Sequence, residues 1–250
     1  MSRTQGTIAS TVFLLLAAAT APAQAGLPST LVATGCVEQE ISIPYPAAAF
    51  QKLLPAGFKL ATADPVGLIA EVDTSFDQCA SIDGGSGAQD FTAFVAVTPP
   101  PQYQQSGIAA YGLMLSAWSN NPLTVARFQS WGFGRQAAAG SFSYGSGLTL
   151  DGARLNTVKA KSGGAALNAT ALISNNQSIF PSGTTRAFAV DAGGNLHIID
   201  ATWSDQLSES GFASFIQDGA GPLPLPLPTQ PLPAFASHAS NYSLSLHWVQ

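Results

Sequence analysis

Apolar and polar residues alternate with a period of two in segment after segment of this chain, and only a β-strand puts every second side chain on one face. In residues 37–43, Val37, Ile41 and Ile43 share one face and Glu38, Glu40 and Ser42 the other. Phe91, Ala93, Val95 and Val97 share a face in residues 91–97. Near the end of the chain Tyr242, Leu244, Leu246 and Trp248 alternate with Ser243, Ser245 and His247. The same reasoning predicts strands over 67–73, 109–118, 141–144, 155–161, 165–174, 185–190 and 196–203. Between the last two, Asp191-Ala192-Gly193-Gly194-Asn195 supplies residues tolerant of positive φ, the mark of a hairpin.

Three short helices complete the expectation. Phe50, Leu53 and Leu54 fall at helical spacing between Pro46 and Pro55. After Asn120-Asn121-Pro122, Val125, Phe128 and Trp131 lie three apart, and proline suits the first turn of a helix. Phe212, Phe215 and Ile216 suggest a third helix over 208–217. Residues 81–90, rich in Gly, Ser and Asp, read as a connecting loop. The fold class is therefore mainly β (α+β), with about nine strands before the C-terminal one.

The first residues read as a secretory signal peptide. Arg3 precedes an apolar run from Ile8 to Ala19, and Ala23-Gln24-Ala25 offers the small residues a signal peptidase needs, so cleavage is expected after Ala25. Thr20, Pro22 and Gln24 stop the run short of the ~20 apolar residues that span a bilayer. A lipid-acceptor reading of Cys36 places it too far beyond the apolar run. The expected organisation is a signal peptide over 1–25, a β-barrel-like domain over 26–221, a proline-rich strap over 222–233 and a C-terminal strand over 234–250 packing on the same domain. The strap, Pro-Leu repeated from Pro222, suits a polyproline II segment and not a central strand. The expected location is secreted or periplasmic.

That compartment bears on Cys36 and Cys79, the two cysteines of the chain. An oxidising environment invites a bridge between them; two buried free thiols are the alternative. Charged residues are 9% of the chain, against about 25% in ordinary soluble domains. With a net charge of -5 and no basic run, binding to nucleic acid or an anionic membrane surface is not expected. His197, His238 and His247 are too scattered to suggest a metal site, and no phosphate loop, dinucleotide fingerprint or nucleophile elbow is present, so no metal and no cofactor are expected.

The stretch Ile43-Pro44-Tyr45-Pro46, then Phe50 to Phe58 (FQKLLPAGF), a strand, a Gly/Asp loop and Phe91 to Pro99 resembles the acetoacetate decarboxylase-like superfamily. The resemblance implies a strongly curved antiparallel sheet closed into a cone or barrel around a small pocket, with short peripheral helices. It also implies a lysine that forms a Schiff base with a β-keto acid, its pKa lowered by a second lysine and an apolar pocket. That lysine would follow a segment like Phe128-Gln129-Ser130-Trp131-Gly132-Phe133-Gly134, where this chain has Arg135 and Gln136. An arginine stays charged and is no amine nucleophile, so the family's reaction does not carry over at this position. The family's acidic residue would fall near Thr92 or Ala93, and Lys159 and Lys161 alternate with Val158 and Ala160 as on a solvated strand face.

Four residues are candidates to line a pocket inside a closed sheet. Arg135 could fork a ligand carboxylate or carbonyl. His197 could act as an acid or base near neutral pH. Trp203, on the same strand face as His197, could form an aromatic wall. Glu71 lies among apolar residues, where burial would raise its pKa. Each has a plainer reading as a surface charge or a core side chain. Three functions are weighed: an exported barrel that binds a small, mainly apolar or keto-acid-like ligand; a cofactor-independent enzyme on a small carbonyl or keto acid; and an exported structural or interaction protein.

Overall fold

The computed structural model describes residues 28–62, 64–150, 152–174, 176–218 and 232–249. The expected signal peptide and most of the proline-rich strap lie outside them. In chain order the strands are β1 (Thr30–Pro46), β2 (Lys59–Leu60), β3 (Ile69–Ile82), β4 (Ala88–Thr98), β5 (Ala110–Ser119), β6 (Ala137–Ala139) and β7 (Ser141–Leu148). There follow β8 (Arg154–Ser162), β9 (Ala165–Ile173), β10 (Ser178–Phe180), β11 (Gly183–Val190), β12 (Leu196–Trp203), β13 (Gln206–Asp218) and β14 (Leu232–Trp248). One α-helix, α1 (Pro122–Phe128), continues into a wide turn over Gln129–Phe133.

Seven strands close into a barrel in the order β1-β3-β4-β5-β11-β12-β14, with β14 returning to pair with β1. The neighbours are antiparallel except β5 and β11, so the barrel is mixed. The first half of β14 also pairs with β13, and the sheet continues through β9, β8 and β7. This second layer folds back over the outside of the barrel. Its inner face, with Val158, Leu167, Ile173 and Phe215, shares one buried cluster with Ile41, Val72, Phe91 and Val95 from the outward faces of β1, β3 and β4.

Polar groups between the layers are paired. Asn156 donates to Gln39 at 2.8 Å, Gln39 donates to the Ser237 carbonyl at 2.7 Å, and Arg154 stands 3.4 Å from Glu209. Burial of such groups is tolerated when each finds a partner.

Helix α1 and the turn after it plug one end of the barrel. Asn121 caps α1 by accepting from the Leu123 amide, and Pro122 occupies its first turn, as the sequence suggests. Arg127, buried, pairs with Asp83 at 2.9 Å and donates to the Thr30 carbonyl, and it lies over the Trp131 ring. Gly132 has φ +89°, and a Cβ there would lie 2.2 Å from His197, so the turn requires glycine on two counts.

Several sequence expectations are corrected. Residues 208–217 are strand β13, not a helix. Glu209, Ala213, Phe215 and Gln217 point to the core while Phe212 is exposed, so Phe212 and Phe215 lie on opposite faces despite their helical spacing. Most of 81–90 belongs to β3 and β4, which leaves a short turn at Asp83 and Gly84 with positive φ at both. Residues 47–54 form two single 3-10 turns instead of one helix. Among the described residues there are fourteen strands, against the nine and the C-terminal one expected. The end of the proline-rich run, Leu232 and Pro233, belongs to β14, where it pairs with β13 alone before β1 joins at Phe235.

Cys36 and Cys79 face each other across β1 and β3 and form a disulfide. The bridge closes a loop spanning 43 residues of sequence. The chain-entropy relation assigns a loop of that length about 4 kcal/mol. Replacing both cysteines with serine is expected to lower the urea midpoint by a corresponding amount, with the far-ultraviolet circular dichroism unchanged in buffer. At Gly211, where a Cβ would lie 2.0 Å from the Leu172 carbonyl oxygen, valine is expected to lower the melting temperature by more than the same change at exposed Gly147.

Candidate functional site

Because the second layer covers the outward faces of β1, β3 and β4, their inward side chains are left facing an interior they do not fill. A cavity of about 470 Å³ results. It has two chemically different walls. On one, β1 contributes Glu38 and Glu40, β3 contributes Asp73, Ser75 and Asp77, and β4 contributes Asp90. The strand register puts Glu40 opposite Ser75, Glu38 opposite Asp77, and Asp77 opposite Asp90, so the carboxylates form one contiguous band. On the other wall stand Met114 of β5, Ala187 of β11, Ile199 and Ala201 of β12, and Leu244 and Leu246 of β14. Thr124, Val125 and Phe128 of α1 form the floor.

Hydroxyl groups bind part of the acidic band together. Ser75 donates to Glu38 and lies 2.9 Å from Asp77 Oδ2; Tyr242 donates to Asp77 Oδ1. Ser237 donates to Glu40 at 3.0 Å and Ser42 to Asp73 at 2.6 Å. No lysine, arginine or histidine is among the described residues that line the cavity. Burial, reinforced by the charge of Asp73, pushes the Glu40 carboxyl up to about 7. Burial likewise pushes Asp90 up to about 7, against the hydrogen bond from Ser119. Glu38 is raised well above the ordinary carboxylate range by burial and by Asp77 and Glu40. Tyr242 is held protonated by burial and by the neighbouring Asp77 and Glu38.

Of the four residues singled out in the sequence, Trp203 lines the cavity. Its ring stacks on Phe180 with centroids 6.1 Å apart, and its Nε1 donates to the Pro181 carbonyl. Phe180 is 47% exposed and Ala110 is also exposed, so these cavity-lining residues mark the mouth. Glu71 continues the inward row of β3 beyond Asp73; burial and the Asp73 charge raise its pKa. His197 points the same way as Trp203 from the other end of β12, where Gly132 closes over it and Nε2 meets Asp191 at 3.0 Å. Arg135 is exposed in the turn after Phe133. Lys159 and Lys161 are exposed on β8, in the outer layer.

The lining carboxylates escape sequence reasoning for a definite reason. Glu38 and Glu40 alternate with core residues as on a half-solvated strand, and the sequence does not say whether the polar face meets bulk water or a cavity. Asp90 is hidden further by the Gly- and Ser-rich residues before it. The one available signal is the recurrence of acidic residues at even spacing on two strands, 38 and 40, then 71, 73 and 77, without matching cations.

No known family's sequence profile and no curated protein match the chain. Solved structures do. The structure is similar to that of the enduracididine biosynthesis enzyme MppR, with a TM-score of 0.56 at 14% identity over 87% of this chain and 85% of that one. It is similar to an acetoacetate decarboxylase-like enzyme from Sphingomonas wittichii RW1, with a TM-score of 0.55 at 11% identity over 90% and 94% of the two chains. It is also similar to the acetoacetate decarboxylase of Legionella pneumophila, with a TM-score of 0.54 at 13% identity over 92% and 93%. At such identities the likeness establishes architecture and not chemistry. The chain thus shares its fold with these acetoacetate decarboxylase-like enzymes.

Proposed function

We propose that this chain is an exported binding protein that holds a small, mainly apolar ligand in the barrel cavity. The cavity itself carries the reading. A volume of about 470 Å³ lies in the range of pockets that enclose small organic molecules. Interior space of this kind lowers stability through lost packing, and buried carboxylates lower it further. Ordinary selection for a stable fold would fill such a space with side chains. Trp203 and Phe180 at the mouth are assigned to contact the ligand, with Glu71 at the outer end of the acidic row; Arg135 and His197 receive no role in the lining. The cysteine bridge and the signal-like leader support export. Among the described residues no helix is long and apolar enough to cross a membrane.

The relatives' names point to acetoacetate decarboxylation and to condensation of pyruvate with an imidazole aldehyde. A Schiff-base step needs an amine in the cavity. Lys159 and Lys161 stand in the outer layer instead. Incubation with acetoacetate and borohydride is therefore expected to leave the mass of the chain unchanged; a reduced adduct on any lysine would overturn the binding reading in favour of catalysis.

Native mass spectrometry of the protein purified without denaturation is expected to show a non-covalently held small molecule. Ala110→Trp, at the exposed mouth, should lose it while keeping the melting temperature within a few degrees. An unliganded wild-type protein that also fails to take up apolar small molecules would overturn the proposal.

The acidic wall has a signature of its own. A carboxyl whose pKa is higher folded than unfolded stabilises the fold fully below its unfolded pKa of about 4, and that stability is lost as pH rises through the folded value. For Glu40 and Asp90 the folded value is about 7. The unliganded protein is expected to melt at a higher temperature at pH 5 than at pH 8. Glu40→Gln should reduce that difference, as followed by calorimetry.

A further inference from the structure

Five carboxylates line the cavity, and no side chain among the described lining residues can neutralise them. The hydroxyls of Ser75, Ser237, Ser42 and Tyr242 satisfy part of this acceptor capacity but carry no charge. Two further groups remain open. Thr124, on the floor, is 5% exposed, and its Oγ1 has no hydrogen-bond partner. Asp90 Oδ1 is shut off from solvent and likewise has none. A buried polar atom without a partner costs about 1–3 kcal/mol, more if it is charged. These residues belong to the cavity lining, whose acceptor capacity exceeds the donors that the lining itself supplies. Gln206 Oε1, near the mouth, is a third buried acceptor in the same condition.

The opposite wall restricts what the donor belongs to. Met114, Ile199, Leu244 and Leu246 offer no polar atom, so a ligand that meets both walls is charged at one end and apolar along its body. Among the described residues no three acidic or histidine side chains converge to hold a metal ion, which leaves an organic cation. Acceptors with open lone pairs call for N–H donors, so a primary or secondary amine suits the wall better than a quaternary one.

We infer that the cavity binds an organic ammonium ion with an apolar body, its N–H groups directed to the β1–β3–β4 carboxylates near Asp90 and its body lying along β5, β11 and β12. This rests on the reading of the barrel as a ligand site and names the ligand's chemical class. The carboxyls of Glu40 and Asp90 hold protons up to about pH 7 in the empty protein. A bound cation favours their ionised forms, so the ligand releases protons on binding. The charged groups that face them all raise these pKa values, against the hydrogen bonds from Ser237 and Ser119. Glu38 stands on β1; Glu71, Asp73 and Asp77 on β3; Tyr242 on β14; and α1 and β5 offer the uncharged Thr124 and Ser119.

The test uses three probes of one shape: phenylbutylammonium, phenylbutanol and phenylbutyrate, titrated calorimetrically into the full-length protein. At pH 8 the ammonium is expected to bind at least tenfold more tightly than the alcohol, and the carboxylate not at all. The advantage should shrink at pH 5.5. Titration in two buffers of different ionisation enthalpy should show protons released when the ammonium binds and none when the alcohol binds. Asp90→Asn and Glu40→Gln should each cut the ammonium's advantage over the alcohol severalfold. Alcohol binding equal to or tighter than ammonium, or binding of phenylbutyrate, would overturn the cation inference while the binding reading stands. Binding of none of the three would overturn both. The buffer comparison needs no variant, so a misfolded Asp90→Asn leaves the inference open to refutation.

Discussion

The outward faces of β1, β3 and β4 must be buried, and everything distinctive about the interior follows from how that is done. Ile41, Val72, Phe76, Phe91 and Val95 point away from the barrel axis and are almost wholly inaccessible, because β13, β9 and β8 lie across them. In a small closed barrel the inward residues ordinarily form the core. Here the hydrophobic driving force is satisfied on the outside of the barrel by the second layer, and the inward positions of these strands are released from packing. Only that release allows Glu38 and Glu40 of β1 and Asp73 and Asp77 of β3 to occupy lumen positions without destroying the fold.

Strand β14 is the hinge of this arrangement. Its second half closes the barrel between β12 and β1, and its first half departs with β13 to start the outer layer while still paired with β1. The irregularity between the halves falls at Asn241, which takes a positive φ and lies beside Tyr242. Tyr242 then reaches into the barrel to donate to Asp77. The break that lets one strand serve two sheets is therefore adjacent to the residue that ties the acidic band to the barrel seam.

Much of the local structure was legible in the sequence, and for good reason. Where alternation coincides with burial, as in residues 37–43, 91–97 and 196–203, strand and face were both read correctly. The hairpin at 191–195 was legible because its turn is self-contained: Asp191 accepts from the amides of Gly193 and Asn195, and Gly194 supplies the positive φ. What alternation does not encode is the identity of the far side. Glu38 and Glu40 look like a solvated edge, and only the tertiary closure of β14 on β1 turns that edge into a lumen. Strand β13 was misread because Phe212 and Phe215 serve two different surfaces, an exposed face and the core, so their spacing carries no helical meaning. Of the candidate residues, Trp203 lines the cavity, because the cavity wall and the strand's apolar face coincide at that position.

The acidic wall has a physical consequence for amine chemistry. A Schiff-base lysine works as a nucleophile when its pKa is held down, which an apolar pocket and a neighbouring cation achieve. A band of carboxylates does the reverse, since negative charge stabilises the ammonium and raises its pKa. An acidic wall is thus unfavourable to an amine nucleophile in the same cavity, and no lysine is among the described residues that line it. Under the reading proposed above, the acidic wall holds an ammonium ion reversibly, the opposite arrangement to an amine that captures a carbonyl covalently.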